Sequence, residues 1–107
     1  MGHKKEFVLL TTTVAKKRNA EVLAAKIVED KLAACVQFMP VKSIYRWKGR
    51  VESANEILLI CKTKAKLAWV LTEFIRENHD YELPEIVVSR IDGGLSGYLN
   101  WIDRETK

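Results

Sequence analysis

The sequence of 107 residues lacks the features of several specialised protein classes. No apolar run approaches the roughly 20 residues that a membrane-spanning helix requires. The apolar stretch at 7–10 is too short for a signal peptide and is followed by threonines. Two cysteines, Cys35 and Cys61, are too few for a disulfide framework. These absences predict a cytoplasmic protein that has no membrane partner.

Sequence patterns of common catalytic and metal sites are also absent. The chain contains no GxSxG, Walker A, GxGxxG or HExxH motif, and neither CxxC nor HxxxH spacing for zinc. It also lacks an aromatic-rich strand of the kind on which RNA-recognition modules stack bases. We therefore expect a protein that is not an enzyme and does not bind nucleic acid.

The composition is that of an ordinary globular protein. The length predicts a single domain over residues 1–107. Hydrophobic residues make up 48% of the chain and charged residues 30%. The net charge of +4 arises from basic residues that are scattered among acidic ones, so it predicts a solvated, mixed-charge surface.

Hydrophobic periodicity predicts a strand and a helix in the first third of the chain. Residues 6–12 form a short apolar run that ends in threonines, which is typical of a buried strand. Over residues 16–31 the apolar positions recur every three or four residues, which predicts an amphipathic helix. These positions are Ala20, Leu23, Ala24, Ile27 and Val28.

The middle of the chain predicts a long hairpin followed by a second helix. The first strand covers residues 33–47 and includes Pro40, which predicts a bulge or a sheet edge there because proline cannot donate to a ladder. A turn at 48–50 contains Gly49, and the return strand reaches Thr63. Thr63 is a plausible N-cap for the second helix. The apolar positions of that helix are Leu67, Val70, Leu71, Phe74 and Ile75.

The last third completes the pattern. Pro84 precedes a β-branched strand over residues 85–91, and residues 95–102 predict a short closing helix. The order βαββαβ plus a terminal helix predicts an α+β, ferredoxin-like fold. This fold has four antiparallel strands, with two helices on one face of the sheet.

The predicted hairpin is longer than one subunit requires. Between Val41 and Thr63 its strands are about ten residues long, whereas five or six are usual. Tyr45 and Trp47 share a face of the first strand because side chains alternate along it. Long, partly apolar edges are normally covered or paired, so we expect an oligomer in which the hairpins pair between subunits.

Five segments in order resemble the CutA family of divalent-cation-tolerance proteins. They are Lys-Leu-Ala-Ala-Cys (31–35), Ser-Ile-Tyr-Arg-Trp-Lys-Gly (43–49), Leu-Leu-Ile-Cys-Lys-Thr (58–63), His-Asp-Tyr-Glu-Leu-Pro-Glu-Ile (79–86) and Tyr-Leu-Asn-Trp-Ile (98–102). The resemblance extends from about Val8 to Ile102. It implies a homotrimer linked to divalent-cation tolerance.

His79 and Cys35 are the candidate metal ligands. Imidazole is a common ligand of copper and zinc, and Asp80 or Glu82 could complete or orient a site at His79. The alternative role for His79 is a hydrogen bond at the helix end or across an interface. Cys35 matches a recurrent family cysteine and is either a packed thiol or a ligand. Cys61 is expected in the core.

The resemblance also implies that metal binding is weak. Copper-linked family members carry a His-His pair and a cysteine at the end of the first strand. This sequence has Asn78-His79 and Thr11 at those positions, so one imidazole and one thiolate are missing. The remaining cofactor prediction is a weakly bound divalent ion of the copper type.

A cleft between subunits is the other candidate site. Aromatic walls with a few polar groups are typical of ligand sites and also of ordinary interfaces. The predicted lining is Tyr45, Trp47, Lys62, Tyr81, Glu82 and Trp101. Two alternative functions therefore remain open. One is a sensor resembling PII signalling proteins, with a small ligand in this cleft, and the other is a docking protein that binds no ligand.

Overall fold

The computed structural model describes residues 5–107; His3, to which we assign no role, lies outside them. Strands, helices and one 3-10 turn follow each other along the chain. They are β1 (Phe7–Val14), α1 (Lys17–Glu29), β2 (Cys35–Trp47), β3 (Arg50–Lys64), the 3-10 turn (Ala65–Leu67), α2 (Ala68–Glu77), β4 (Ile86–Ile91) and α3 (Ser96–Arg104).

The four strands form one antiparallel sheet in the order β2-β3-β1-β4. β1 is central, with Thr13 opposite Leu58 of β3 and Phe7 opposite Ile91 of β4. This arrangement confirms the predicted ferredoxin-like α+β fold.

Helices α1 and α2 cover one face of the sheet. Their apolar side chains pack against alternate residues of β1 and β3, as the three- and four-residue spacing predicted. The fully buried side chains of this core include Leu10, Ile27, Leu59, Leu71 and Ile75. Cys61 belongs to the same cluster, and burial raises the pKa of its thiol to about 12. The prediction of a core role for Cys61 is confirmed.

Helix α3 packs on the opposite face and covers only one end of it. Ile102 of α3 is fully buried in a cluster with Phe7 and Ala34. Further along that face the sheet is open, and Met39 of β2 and Val87 of β4 are each about half exposed. One sheet face is therefore closed by two helices, whereas much of the other is uncovered in one subunit.

The hairpin of β2 and β3 differs in detail from the prediction. Its strands have 13 and 15 residues and no interruption at Pro40, which lies in register opposite Ile57. Proline is tolerated there because β2 is an edge strand of the sheet. The hairpin extends past β1 and gives the molecule dimensions of 52 × 25 × 23 Å.

Thr63 is not the N-cap of the second helix, so that prediction is wrong. It belongs to β3, and its buried hydroxyl donates a hydrogen bond of 2.7 Å to the carbonyl oxygen of Leu32. The 3-10 turn leads from β3 into α2, whose N-cap Leu67 provides no side-chain hydrogen bond. The Thr63 hydroxyl, which the sequence pattern assigned to the start of the second helix, is instead used in a tertiary hydrogen bond to Leu32.

Candidate functional site

An open pocket of about 1080 Å³ lies between the outer half of the hairpin and the loop that joins α2 to β4. The pocket exists because β1 ends at Val14, opposite Ile57, so that β3 before this residue has no neighbour on that side. The loop fills only part of the gap. The lining residues are Thr13, Lys42, Ser43, Ile44, Tyr45, Trp47, Glu56, Asp80, Tyr81, Glu82, Leu83, Pro84 and Glu85.

A hydrogen bond between Glu56 and Tyr81 joins the two walls of the pocket. The Tyr81 hydroxyl donates to the Glu56 carboxylate over 2.9 Å. Only 7% of Glu56 is exposed, and no cation within residues 5–107 forms an ion pair with it. Burial, together with the Glu56 carboxylate, raises the pKa of Tyr81 to about 12. The phenol therefore stays protonated at neutral pH and acts as the donor.

His79 holds the loop through both of its ring nitrogens. Nε2 lies 2.7 Å from the carbonyl oxygen of Thr13, and the backbone N–H of Tyr81 donates to Nδ1 over 3.1 Å. We assign the neutral tautomer with the proton on Nε2, because Nδ1 accepts a hydrogen bond. The His79 and Tyr81 rings also contact each other, with centroids 4.8 Å apart. His79 thus anchors the loop to the end of β1.

The rim of the pocket carries exposed charges next to an aromatic ring. Lys48 Nζ lies 3.8 Å from a carboxylate oxygen of Glu82 and 5.6 Å from the centroid of the Trp47 ring. The side chains of Lys48 and Glu82 are both more than two-thirds exposed, so this ion pair contributes little to stability.

The predicted metal ligands do not form one site within a subunit. Half-buried Cys35 lies opposite Lys62, which in turn lies opposite Leu9 of β1, whereas His79 contacts Thr13. Leu9 and Thr13 are roughly 13 Å apart at about 3.3 Å per residue. In the part of the chain that the structure describes, no three His, Cys, Asp or Glu side chains are grouped to hold a metal ion.

The predicted cleft residues also divide into two groups. Tyr45, Trp47, Tyr81 and Glu82 line the same pocket. Lys62 and Trp101 lie elsewhere: Lys62 Nζ is 5.4 Å from the Tyr98 ring centroid, and Trp101 packs in the cluster around Phe7 and Ile102. Within one subunit these two residues belong to the end of the sheet that α3 covers.

Sequence reasoning missed Glu56 as a site residue. It occupies the start of the most apolar part of β3, where a carboxylate had no obvious role. A single carboxylate beside a run of apolar residues was the available sign of a site residue, because a carboxylate buried in such a strand requires hydrogen-bond partners. The partner, Tyr81, is 25 residues away and could not be identified from local pattern.

Comparison with known proteins identifies the family. A family model described as CutA1 divalent ion tolerance protein matches residues 8–105. The chain belongs to the CutA1 family. This finding confirms the resemblance on which the sequence interpretation depended.

Individual CutA1 relatives agree with the assignment. "Protein CutA, chloroplastic" from Arabidopsis thaliana is 41% identical over 94% of this chain and 56% of its own length. "Divalent-cation tolerance protein CutA" from Archaeoglobus fulgidus is 36% identical over 85% of this chain and 89% of its own length. The crystal structure of CutA1 from Oryza sativa has a TM-score of 0.92 at 39% identity and covers 95% of this chain and 94% of its own. The chain spans little more than half the length of several curated relatives.

The prediction of a cytoplasmic location is wrong, because relatives in this family are named for other compartments. Relatives from Arabidopsis thaliana and Oryza sativa are named chloroplastic, and a structure from Archaeoglobus fulgidus is described as a periplasmic protein. A general absence of targeting features therefore does not identify the compartment of a CutA1 protein. Across residues 5–107, none of the helices combines the length and apolar character needed to span a membrane.

Proposed function

We propose that this CutA1 protein contributes to divalent-cation tolerance as a non-enzymatic homotrimer that binds divalent cations weakly. The observation that carries the proposal is that carboxylates line one pocket beside His79, although no three such side chains among residues 5–107 lie close enough together to hold a metal ion within one subunit. Asp80, Glu82 and Glu85 line the pocket together with the buried Glu56. Carboxylate oxygens and imidazole are ligands that divalent cations accept.

The uncovered face of the sheet supports assembly. Ile44 and Val51 near the hairpin tip are 73% and 67% exposed, and Met39 and Val87 add apolar surface on the open face. Apolar surface of this kind is typical of protein interfaces. The edge strand β2 also leaves backbone groups available for pairing with another chain. The number of three subunits follows from the family resemblance.

The hydrogen bonds of His79 explain why binding would be weak. A metal ion can be ligated by an imidazole nitrogen only if that nitrogen gives up its hydrogen bond to Thr13 or to Tyr81. Thr11 and Asn78 provide no thiolate or second imidazole in compensation. Cys35 is too far from His79 to share a metal ion with it in one subunit. The thiol could ligate a metal ion only across a subunit interface or at a separate site.

Calorimetric titration with Cu²⁺ tests the metal proposal. We expect weak binding to the unmodified protein and a loss of most of the heat in His79→Ala and in Glu82→Gln. The second variant leaves the hydrogen bonds of His79 intact, and Glu21→Gln, on the exposed side of α1, is the matched control. An unchanged heat in both site variants would assign binding elsewhere, with Cys35 as the next candidate. An absence of heat in the unmodified protein would contradict weak binding.

Light scattering tests the assembly independently of any ligand. We expect a mass of three chains at micromolar concentration. A monomer mass would contradict the proposed trimer, whether or not copper binds.

A small-molecule sensor is the second candidate function. The pocket volume of about 1080 Å³ favours it, because a metal ion alone needs only a small part of this space. Aromatic walls from Tyr45, Trp47 and Tyr81 are also typical of sites for organic ligands.

A further inference from the structure

We propose that the pocket between the hairpin and the loop 79–85 binds an organic ammonium ion. The inference rests on the proposed role of this pocket as a ligand site and specifies the chemical class of the ligand. Three observations lead to it: the charge of the lining, its aromatic walls, and the position of an ammonium group that the protein itself provides.

The lining is strongly acidic for a pocket in a protein of net positive charge. Its lining residues include four carboxylates, from Glu56, Asp80, Glu82 and Glu85, and one ammonium group, from Lys42. Two of the carboxylates have partners, since Asp80 accepts a hydrogen bond of 3.2 Å from Asn19 and Glu82 pairs with Lys48 at the rim. An anionic ligand such as a nucleotide would be repelled by this balance of charge. A cationic ligand would be attracted to it.

Glu56 is the one buried carboxylate among the acidic lining residues, and a hydrogen bond holds it in place. It is more than nine-tenths buried and is held by the neutral hydroxyl of Tyr81, so its charge is not balanced by an ion pair within residues 5–107. Burying a carboxylate without a counter-charge is unfavourable. A bound cation would reduce the free-energy cost of burying the Glu56 carboxylate. The exposed carboxylates at the rim remain in contact with water and have no such cost.

The aromatic walls favour an organic cation over a bare metal ion. Tyr45, Trp47 and Tyr81 all line the pocket, and Tyr45 is 44% exposed. The face of an aromatic ring attracts an ammonium group electrostatically and also packs against its alkyl substituents. A small hydrated metal ion would leave most of this surface and volume unused.

Lys48 shows that an ammonium group fits between these side chains. Its Nζ lies 5.6 Å from the Trp47 centroid and 3.8 Å from the Glu82 carboxylate. A ligand could take the same two contacts, because the exposed Lys48 side chain can move into solvent at little cost. The arrangement of aromatic ring and carboxylate is therefore already suitable for an ammonium group.

Choline and its neutral isostere 3,3-dimethylbutan-1-ol are the probes that test the proposal. The two molecules have the same shape, but only choline is charged. Backbone amide shifts are followed by NMR in the trimer, with EDTA present to remove metal ions. We expect choline to shift the amides of Tyr81, Glu82 and Glu56 in a saturable manner. The neutral isostere should bind about tenfold more weakly, because it lacks the cation–π and carboxylate interactions.

Two variants and a matched control locate the site. Glu56→Gln removes the buried charge with little change of shape, and Glu82→Gln removes an exposed charge without disturbing the fold. We expect each to weaken choline binding about fivefold or more. Glu21→Gln removes a carboxylate from the exposed side of α1 and should leave the affinity unchanged.

Three outcomes would overturn the proposal: no saturable shift at the pocket, equal binding of the neutral isostere, or equal weakening by Glu21→Gln. Equal isostere binding would indicate an apolar site, and weakening by the control would indicate general charge attraction. Each result can be separated from the proposed cation-tolerance function. Light scattering on the same sample reports the trimer, and the copper titration is performed without choline.

Discussion

The Nε2 atom of His79 lies 2.7 Å from the carbonyl oxygen of Thr13, across 66 residues of sequence. This bond ties the loop after α2 to the last residues of the central strand. The second ring nitrogen accepts the backbone N–H of Tyr81, so one side chain determines where the pocket wall begins. The residue with the strongest sequence signal for metal binding therefore has a structural role within the subunit.

The first prediction concerns this anchor. His79→Ala should lower the free energy of unfolding by about 1–2 kcal/mol, because two hydrogen bonds of a part-buried ring are lost. The Tyr81 amide should exchange its hydrogen faster, which hydrogen-exchange NMR measures. Glu77→Gln, at the exposed end of α2, should change neither quantity. Unchanged exchange at Tyr81 in His79→Ala would show that the loop is held by other contacts.

The second prediction concerns pH. The folded-state pKa of Tyr81 is raised to about 12 from an ordinary value of 10, so folding favours the protonated phenol. Its contribution to stability is present below pH 10 and is lost as the pH rises from 10 to 12. Spectrophotometric titration should detect a late-ionising tyrosine that is absent in Tyr81→Phe and retained in Tyr45→Phe. Loss of the late step in Tyr45→Phe instead would contradict the assignment.

The third prediction compares two buried threonines. The Thr12 hydroxyl is fully buried and has no hydrogen-bond partner among the described residues, whereas the Thr63 hydroxyl donates to Leu32. Thr12→Val should raise the free energy of unfolding by about 1 kcal/mol, and Thr63→Val should lower it by about 1–2 kcal/mol. Urea unfolding at one fixed protein concentration measures both. A loss of stability in Thr12→Val would mean that its hydroxyl has a partner.

The fourth prediction concerns Trp47 at the tip of the hairpin. Trp47→Ala should weaken assembly more than it destabilises a subunit, because tryptophan commonly anchors interfaces and this residue, at the end of β2, belongs to neither core cluster. Sedimentation velocity measures the mass distribution over a dilution series. Trp69→Ala is the control, since Trp69 is 72% exposed on α2. An intact trimer with only a lower melting temperature would assign Trp47 to the subunit instead.

The local sequence pattern was sufficient to predict the helices and strands in which apolar residues recur with a regular period. The spacing of Ala20, Leu23, Ala24, Ile27 and Val28 predicted α1. The first four are buried, whereas Val28 is 41% exposed. Val70 was expected in the corresponding stripe of α2 but is 48% exposed, because α2 buries fewer positions than its pattern suggests. Propensity alone cannot determine how much of a helix its neighbours cover.

The candidate site was predictable only in part. Tyr45, Trp47, Tyr81 and Glu82 could be selected as aromatic or charged residues near turns, and they line one pocket. The hydrogen bond between Tyr81 and Glu56 could not be predicted without the register of β3 against β1 and the path of the loop. The separation of Cys35 from His79 has the same origin, because Cys35 is level with Leu9 of β1, whereas His79, in the loop after α2, contacts Thr13.

The sequence by itself determined the order of strands and helices, the ferredoxin-like fold and the CutA1 family. Hydrophobic period and turn residues act over a few positions and can be recognised directly in the chain. Only the tertiary structure decided which polar groups meet. It placed both nitrogens of His79 in hydrogen bonds, gave the Thr63 hydroxyl to Leu32, and buried Glu56 beside Tyr81. Such contacts depend on strand register and loop path, which distant parts of the chain determine together.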